Sequence, residues 1–135
     1  MEVKSSRLLN NQIHKLTKEP ISRVQLAKYA GASGDFNRIH IDEEFANQSP
    51  LKGVIAHGML SMGFLGQYLD QIASDDFDVK KFKVRFRTMV RLGDEITCEA
   101  EVKEHTEHEI TLDIKAKNQR EEAVVLGEAV LAAKA

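Results

Sequence analysis

HGMLSMGFLGQYLDQI, residues 57 to 72, is the stretch of sequence that decides the fold. Its apolar side chains recur three or four positions apart, and they include Met59, Met62, Leu65, Leu69 and Ile72. This spacing predicts one long helix with an apolar face. An internal glycine costs a helix roughly 1 kcal/mol relative to alanine. We therefore expect Gly63 and Gly66 to be present because a sheet packs closely against this helix.

Four segments that follow the helix predict β-strands. They are residues 81–88, 96–102, 110–116 and 123–131. The first alternates strictly, which places Phe82, Val84 and Phe86 on one face and cations on the other. The polar connections among the last three segments are short enough to join antiparallel neighbours. The last segment is apolar on both faces, which predicts a central strand.

Less regular structure is expected before the long helix. Residues 13–18 predict a short leading strand. Ser22 predicts the N-cap of a helix over residues 23–30, because its hydroxyl accepts a hydrogen bond from an amide of the first turn. The segment up to residue 57 is expected to be mostly loop, with a short helix at residues 42–47.

Length and composition indicate one domain. A chain of 135 residues that is 42% apolar supports one core of ordinary size and leaves no room for a second. The order of elements predicts an α+β fold over residues 1–135, in which a strongly bent antiparallel sheet wraps around one long central helix. The 19 basic and 21 acidic side chains produce no general field that would gather nucleic acid or an anionic membrane.

The expected location follows from the cysteine content and the apolar segments. Cys98 is the single cysteine, which excludes an internal disulfide. Residues 1–7 lack the apolar stretch of a secretory signal, and residues 58–72 are too short and too polar to span a membrane. We therefore expect a cytoplasmic protein.

SGDFNRIHID, residues 33 to 42, carries the first candidate chemistry. Asp35 and His40 are five positions apart across an expected loop, so both side chains can converge on one small molecule, and Asn37 lies between them. An aspartate and a histidine can divide acid and base duties over one water, which contributes about 10²–10⁴ in rate. The alternative is that these residues only cap helices and form turns.

GVIAHG, residues 53 to 58, leads into the long helix and carries the second candidate. Amides in the first turn of a helix lack intrahelical acceptors, and Gly58 has no side chain that would keep a carbonyl away. Its amide is therefore a candidate oxyanion donor, and loss of one such donor costs about 3 kcal/mol in known sites. The alternative for His57 is a helix-entry residue satisfied by backbone groups.

Three segments together resemble the MaoC-like, hydratase 2 family of (R)-specific enoyl-thioester hydratases and dehydratases. They are residues 29–42 (YAGASGDFNRIHID), 53–59 (GVIAHGM) and 84–94 (VRFRTMVRLGD). The resemblance extends over nearly the whole chain. It implies a hot-dog fold, dimerisation, and the reversible hydration of a trans-2-enoyl thioester to the (R)-3-hydroxyacyl thioester.

The resemblance also implies roles for individual residues. Asp35 and His40 become the catalytic pair, Asn37 orients the site, and the Gly58 amide binds the thioester oxygen. Arg38 stands where the family usually has proline. The residues expected to bind substrate are His57, Met59, Met62 and Leu65.

No cofactor and no metal are expected. His105 and His108 lie in a polar turn without a third ligand, which is typical of surface histidines. The chain has no dinucleotide fingerprint, because the glycines at 31 and 34 lack the third glycine and a preceding buried strand. A group of cations either meets a carrier phosphate or forms the solvated face of a strand; it comprises Lys81, Lys83, Arg85, Arg87 and Arg91.

Two rival functions remain open. A hot-dog thioesterase would hydrolyse the same class of thioester instead of hydrating its alkene. A non-catalytic acyl-thioester-binding subunit would work beside an active partner, although the retained Asp35, Asn37 and His40 argue against that role. The sequence leaves open the acyl length, the carrier (coenzyme A or acyl carrier protein), the direction in the cell, the choice between homodimer and heterodimer, and which of Asp35 and His40 is the acid.

Overall fold

The computed structural model describes residues 6–9 and 12–134 of the chain. Its helices are α1 (Ser6–Leu9), α2 (Arg23–Ser33), α3 (Arg38–Ile41), α4 (Glu43–Gln48) and α5 (Gly58–Ala73). Its strands are β1 (Leu16–Thr17), β2 (Phe77–Phe86), β3 (Thr97–His105), β4 (Glu109–Lys117) and β5 (Ala123–Ala133). Residues 1–5, which were expected to carry no secretory signal, lie outside the described residues.

The strands form one antiparallel sheet in the order β1-β3-β4-β5-β2. The predicted strands are confirmed, with β2 beginning four residues earlier than expected. β5 is an interior strand paired on both sides, although β4 occupies the middle position. The ladder shifts by a residue at three places, namely Val79/Lys81, Val102/Glu104 and Ala116/Lys117. Such irregularities bend and twist a sheet, which lets this one curl around α5.

Gly127 of β5 permits the close approach of β2. A Cβ atom at this position would collide with the carbonyl oxygen of Lys83 and with the backbone and side chain of Val84. Only glycine leaves that space empty. Nothing in the local pattern around residue 127 predicts this requirement, because it arises from a strand more than 40 residues away in sequence.

The apolar face of α5 packs on the sheet, as predicted, but not every residue of the predicted apolar face is buried. The buried apolar side chains of the helix are Leu60, Phe64, Leu65, Tyr68, Leu69 and Ile72, with Ala73 at its end. Met59 is 56% exposed and therefore lies outside the core. A Cβ at Gly66 would lie 3.7 Å from Phe82, whereas one at Gly63 would meet nothing within 4 Å. Close packing thus accounts for Gly66 and not for Gly63.

The segment before α5 is more helical than predicted. Ser22 caps α2 as expected, since its Oγ accepts from the amide of Gln25 at 3.1 Å. α2 continues to Ser33 and ends at Gly34, whose φ of 76° is left-handed. α4 matches the predicted short helix, but the expected loop before it contains α3. The leading strand is shorter than expected, because only Leu16 and Thr17 pair with β3.

Within the part of the chain that the structure describes, no helix combines the length and the hydropathy needed to cross a membrane. The sulfur of Cys98 lies in the core beneath the sheet, where burial raises the pKa of the thiol to about 12. The thiol is therefore protonated and unreactive at neutral pH.

Candidate active site

A series of short-range hydrogen bonds positions the SGDFNRIHID segment. Ser33 Oγ accepts from the Asp35 amide at 3.2 Å, and Asp35 Oδ1 accepts from the Asn37 amide at 3.2 Å. Asn37 Oδ1 then caps α3 by accepting from the Ile39 amide at 3.1 Å. Asn37 and one oxygen of Asp35 therefore do serve as cap and turn residues, as the alternative interpretation predicted. α3 places His40 on a single helical turn, where the sequence predicted a loop.

The second carboxylate oxygen of Asp35 faces His40. Asp35 Oδ2 lies 3.9 Å from His40 Nε2, and the two side chains are 53% and 10% exposed. This separation is too long for a direct hydrogen bond. One water can contact both atoms, because each contact needs only a distance of about 2.7–3.0 Å. The two atoms are therefore close enough for one water to bridge them from beside the line that joins them.

The other ring nitrogen of His40 settles the tautomer. Nδ1 lies 2.7 Å from the carbonyl oxygen of Ile55. A carbonyl oxygen only accepts, so Nδ1 carries the proton and donates it. In the neutral ring Nε2 is then the nitrogen with the lone pair, and it is the one that faces Asp35.

His57 lies beneath this pair, 3% exposed. Its Nε2–H donates to the backbone carbonyl of Asp35 at 3.0 Å, and its ring stacks on that of His40 with centroids 3.8 Å apart and planes at 24°. Tyr29 of α2 contacts the same ring edge-on at 4.8 Å. Nδ1 of His57 is buried and has no hydrogen-bond partner among the described residues. The interpretation of His57 as a helix-entry residue bonded to backbone agrees with these contacts.

Gly58 begins α5, and the first turn has no side-chain cap. Its amide has no acceptor within the helix because it belongs to the first turn. The positive end of the helix dipole lies at the same place, which favours an anion there. A Cβ on Gly58 would lie 3.5 Å from the ring of Phe86, so the glycine leaves a narrow space open between the helix and β2.

A cavity of about 200 Å³ lies beside His40, His57 and Gly58. His40, His57, Gly58, Ser61 and Phe86 are among the residues that line it. The segment from Arg87 to Val90 and the start of β5 complete its walls. Asp35 lies outside this lining and is more exposed.

The helix residues expected to bind substrate lie elsewhere. Met59, Met62 and Leu65 do not line the cavity; Leu65 is fully buried in the core, and Met59 points to solvent. Ser61 lies on the wall instead, one turn along α5 from His57. Residues Phe86 to Val90 form another wall of the cavity. They belong to VRFRTMVRLGD, one of the three segments that resemble the family.

A larger groove of about 940 Å³ lies on the outward face of the sheet, away from α5. Some of its charges are paired: Glu99 contacts Lys15 and Lys115 of the groove and also Lys117 beside it. Of the five candidate phosphate-binding cations, Lys83 and Arg85 line this groove, and only Arg87 lines the cavity of His40. Arg91 donates to the carbonyl of Leu51 at 2.8 Å. The cations thus do not form one anion site.

Asp35, His40 and His57 each place one potential metal ligand within 4.8 Å of the others. The lone pairs of two stacked rings run side by side and do not meet at one point. The Nε2 of His57 already carries a proton toward the Asp35 carbonyl, and its Nδ1 is buried. The three groups therefore do not converge on a single ion.

The chain matches the family model described as MaoC like domain over residues 7–124. It is 33% identical over 109 residues to fatty acid synthase 2 of Mycosarcoma maydis, a match that spans 75% of this chain and 3% of the synthase. It is 34% identical over 113 residues to the (R)-specific enoyl-CoA hydratase of Aeromonas caviae, spanning 79% of this chain and 82% of the hydratase. The solved (R)-hydratase from A. caviae involved in PHA biosynthesis superposes with a TM-score of 0.81 at 30% identity and covers 88% of this chain and 92% of its own.

Proposed function

Because the chain belongs to the MaoC-like domain family, we propose that it is a lyase that reversibly hydrates trans-2-enoyl thioesters to (R)-3-hydroxyacyl thioesters. The observation that carries the proposal is the 3.9 Å gap between Asp35 Oδ2 and His40 Nε2. The similarity to enzymes named (R)-specific enoyl-CoA hydratase supports it. The reaction needs water as its only co-reactant and no cofactor.

In the forward direction the Asp35–His40 pair holds one water over the β-carbon of the substrate. The pair takes one proton from the water as its oxygen bonds to the β-carbon, and the alkene electrons move toward the thioester carbonyl. The pair then returns one proton to the α-carbon from the same side. Asp35 and His40 are the catalytic residues in this proposal, and Asn37 orients them by holding α3. Positioned proton transfer of this kind contributes about 10²–10⁴ in rate.

The amide of Gly58 receives the developing charge. As the water adds, negative charge collects on the thioester oxygen, and the uncapped start of α5 offers unpaired amides and a favourable dipole there. This interaction strengthens in the transition state, which is the condition for raising kcat. We propose that the acyl chain enters the cavity that Gly58 and Ser61 line.

We propose a homodimer built on the edge of the sheet. β2 is the last strand in the order, so its outer side has no partner among the described strands. Val79 and Phe86 of β2 and Met89 beyond it are 37%, 51% and 49% exposed. A long edge strand with exposed apolar side chains is a template for pairing with a second chain. Phe86 and Met89 also line the cavity, so a second copy on β2 would lie beside the substrate.

We place the enzyme in the cytoplasm and its substrate on coenzyme A or acyl carrier protein. Light scattering during gel filtration measures the mass of the protein in solution and so tests the dimer. We expect a dimer for the wild type and a monomer for Val79→Lys. Fractionation of the source cells tests the location. The carrier is identified by comparing activity on the same acyl group attached to coenzyme A and to acyl carrier protein.

The proposed reaction is tested by following the enoyl-thioester absorbance of crotonyl-CoA and longer substrates on both carriers. Loss of absorbance without release of free thiol supports hydration. Thiol release would support the thioesterase instead, and no reaction on any substrate would support the non-catalytic subunit. Asp35→Asn and His40→Ala are expected to remove turnover while the circular dichroism spectrum is retained. Near wild-type turnover in either folded variant would refute the assignment of the pair.

A further inference from the structure

We infer that His57 is a positioning residue that holds Asp35 and His40 in register, and that it does not bind substrate. The consequence for catalysis rests on the proposed function, whereas the evidence is geometric. His57 contacts both members of the pair through different parts of its ring. Its Nε2–H bonds to the backbone carbonyl of Asp35 at 3.0 Å, and its face stacks on His40 at 3.8 Å.

His57 itself is held by the helix that delivers Asp35. Tyr29 of α2 contacts the His57 ring edge-on, with centroids 4.8 Å apart and planes at 63°. α2 ends at Ser33, two residues before Asp35. The ring of His57 therefore connects α2, the Asp35 backbone and the ring of His40 into one packed unit.

The unpartnered Nδ1 has a cost, and this cost indicates that the other ring nitrogen of His57 has a specific role. A buried polar atom without a hydrogen-bond partner lowers stability, and each such atom needs an explanation. A phenylalanine ring would fill the same space without that atom. What phenylalanine cannot provide is the Nε2–H that bonds to Asp35. The bond to Asp35 is therefore the specific contribution of a histidine at position 57.

Control of the Asp35 backbone matters because little else fixes its carboxylate. The side chain is more than half exposed, and among the described residues its Oδ1 bonds only to the nearby amide of Asn37. His40, in contrast, is anchored by Ile55 on one side and by His57 on its face. A displacement of about 1 Å between reacting groups can cost 10²-fold in rate. Loss of the His57 bond is thus expected to lower kcat and to leave KM nearly unchanged.

The test compares two variants that each keep one half of the interaction. His57→Phe retains a ring that can stack on His40 and loses the donor. His57→Gln loses the ring and retains an amide that can reach the Asp35 carbonyl. His14→Phe is the matched control, because His14 also contacts a tyrosine edge-on, with centroids 5.6 Å apart, but lies outside the site. Crotonyl-CoA hydration, thermal melting and ¹⁵N NMR of the His40 ring are measured for each.

We expect kcat of His57→Phe to fall by about 10–100-fold with KM within a factor of about three, and His57→Gln to recover part of kcat. His14→Phe is expected to keep the wild-type kcat. A lower melting temperature, with kcat unchanged at temperatures where the variant is still folded, would show that His57 serves only stability and would overturn the inference. A raised KM with unchanged kcat would also overturn it, because that result belongs to a substrate-binding residue.

The NMR measurement separates this inference from the proposed function. An inactive wild-type protein would refute the function and would leave the ring geometry to be judged by spectroscopy alone. In the wild type the His40 ring is expected to show one tautomer with its proton on Nδ1, which the bond to Ile55 fixes. In His57→Gln, which loses the stacked ring, we expect that tautomer to be retained and the ring resonances to shift and broaden because the ring moves more freely. A His40 spectrum unchanged in His57→Gln would overturn the positioning role whether or not the enzyme is active.

Discussion

The Nδ1 of His40 donates a hydrogen bond to the carbonyl oxygen of Ile55, across 2.7 Å and between residues 15 apart in the chain. The bond connects α3 to the segment that leads into α5, and it turns Nε2 toward Asp35. One backbone acceptor thus fixes both the tautomer of the imidazole and its direction. Such an outer contact is what makes a histidine effective as an acid or base.

This relationship predicts that an amide variant at position 40 keeps its stability and loses its activity. The side-chain nitrogen of His40→Asn can retain the bond to Ile55 but has no atom at the place of Nε2. We therefore expect the variant to fold, with a melting temperature close to wild type, and kcat to fall by about 10²–10⁴. Steady-state hydration of crotonyl-CoA and thermal melting measure the two effects. Substantial activity in His40→Asn would mean that Nε2 takes no part in proton transfer.

Alanine substitutions in α5 separate the site from the scaffold. Gly58→Ala would add a methyl group 3.5 Å from Phe86, which is an ordinary contact, so we expect the protein to remain folded. The same methyl group would occupy the approach to the first amide of the helix, and kcat is expected to fall at least tenfold. Gly63→Ala is the matched control. Its new Cβ meets nothing within 4 Å, so activity should be retained and stability should rise by about 1 kcal/mol. Equal activity in both variants would exclude the proposed oxyanion role.

Gly127→Ala is expected to destabilise the fold. The new Cβ would overlap the carbonyl oxygen of Lys83 and press on Val84, and backbone atoms of a paired strand cannot move aside independently. Overpacking of this kind typically costs about 1–3 kcal/mol, and we expect a value at the upper end. Urea unfolding followed by circular dichroism measures the difference in the free energy of unfolding. An unchanged midpoint would show that β2 and β5 can move apart enough to accept the methyl group without loss of stability.

Glu99 on the outward face of the sheet gives a prediction for pH. Partial burial acts to raise the pKa of its carboxyl, but hydrogen bonds from Lys115, Lys15 and Lys117 outweigh burial and lower it below the ordinary 4.5. A carboxyl whose pKa is lower in the folded protein stabilises the fold above its unfolded pKa. That contribution disappears as the pH falls through the folded value.

We therefore expect Glu99→Gln to be less stable than wild type at pH 7 and nearly equal to it well below pH 4.5. Urea unfolding across this range measures the convergence. Glu101→Gln is the comparison variant, because Glu101 lies on the same face of β3 and forms no ion pair with the described residues. A pH-independent difference between Glu99→Gln and wild type would place the effect in packing and not in charge.

The sequence predicted what depends on local periodicity. The apolar spacing of α5, the alternation of β2 to β4 and the cap at Ser22 are local properties, and the structure has each of them. α3 was missed although its cap, Asn37, is local, whereas the other misses involve partners far away in sequence. The space around Gly127 depends on Lys83, and the role of His57 depends on the rings at positions 29 and 40. The exposure of Met59 depends on where the sheet lies. The short spacing of Asp35 and His40 made them a candidate pair, and their catalytic roles were predicted from the resemblance to the MaoC-like family.

Arg38 stands at a position where the structure would accept proline. It is the first residue of α3, where an amide has no acceptor within the helix, and proline is favoured at such a position. Asn37 before it has a ψ of 128°, in the range adopted by a residue that precedes proline. The side chain of Arg38 points to Asp42 and over the ring of Phe45, and not into the cavity.

We expect Arg38→Pro to retain kcat on crotonyl-CoA, because the contacts that position His40 are the cap at Asn37, the hydrogen bond to Ile55 and the stacked ring of His57. Fixing one backbone dihedral stabilises by about 0.4–1 kcal/mol through the unfolded chain, while the lost ion pair with Asp42 is exposed and therefore weak. Arg38→Ala loses the same ion pair without fixing a dihedral, so it should unfold at a lower urea concentration than Arg38→Pro. A large loss of kcat in Arg38→Pro with stability retained would show that the arginine itself acts on the substrate.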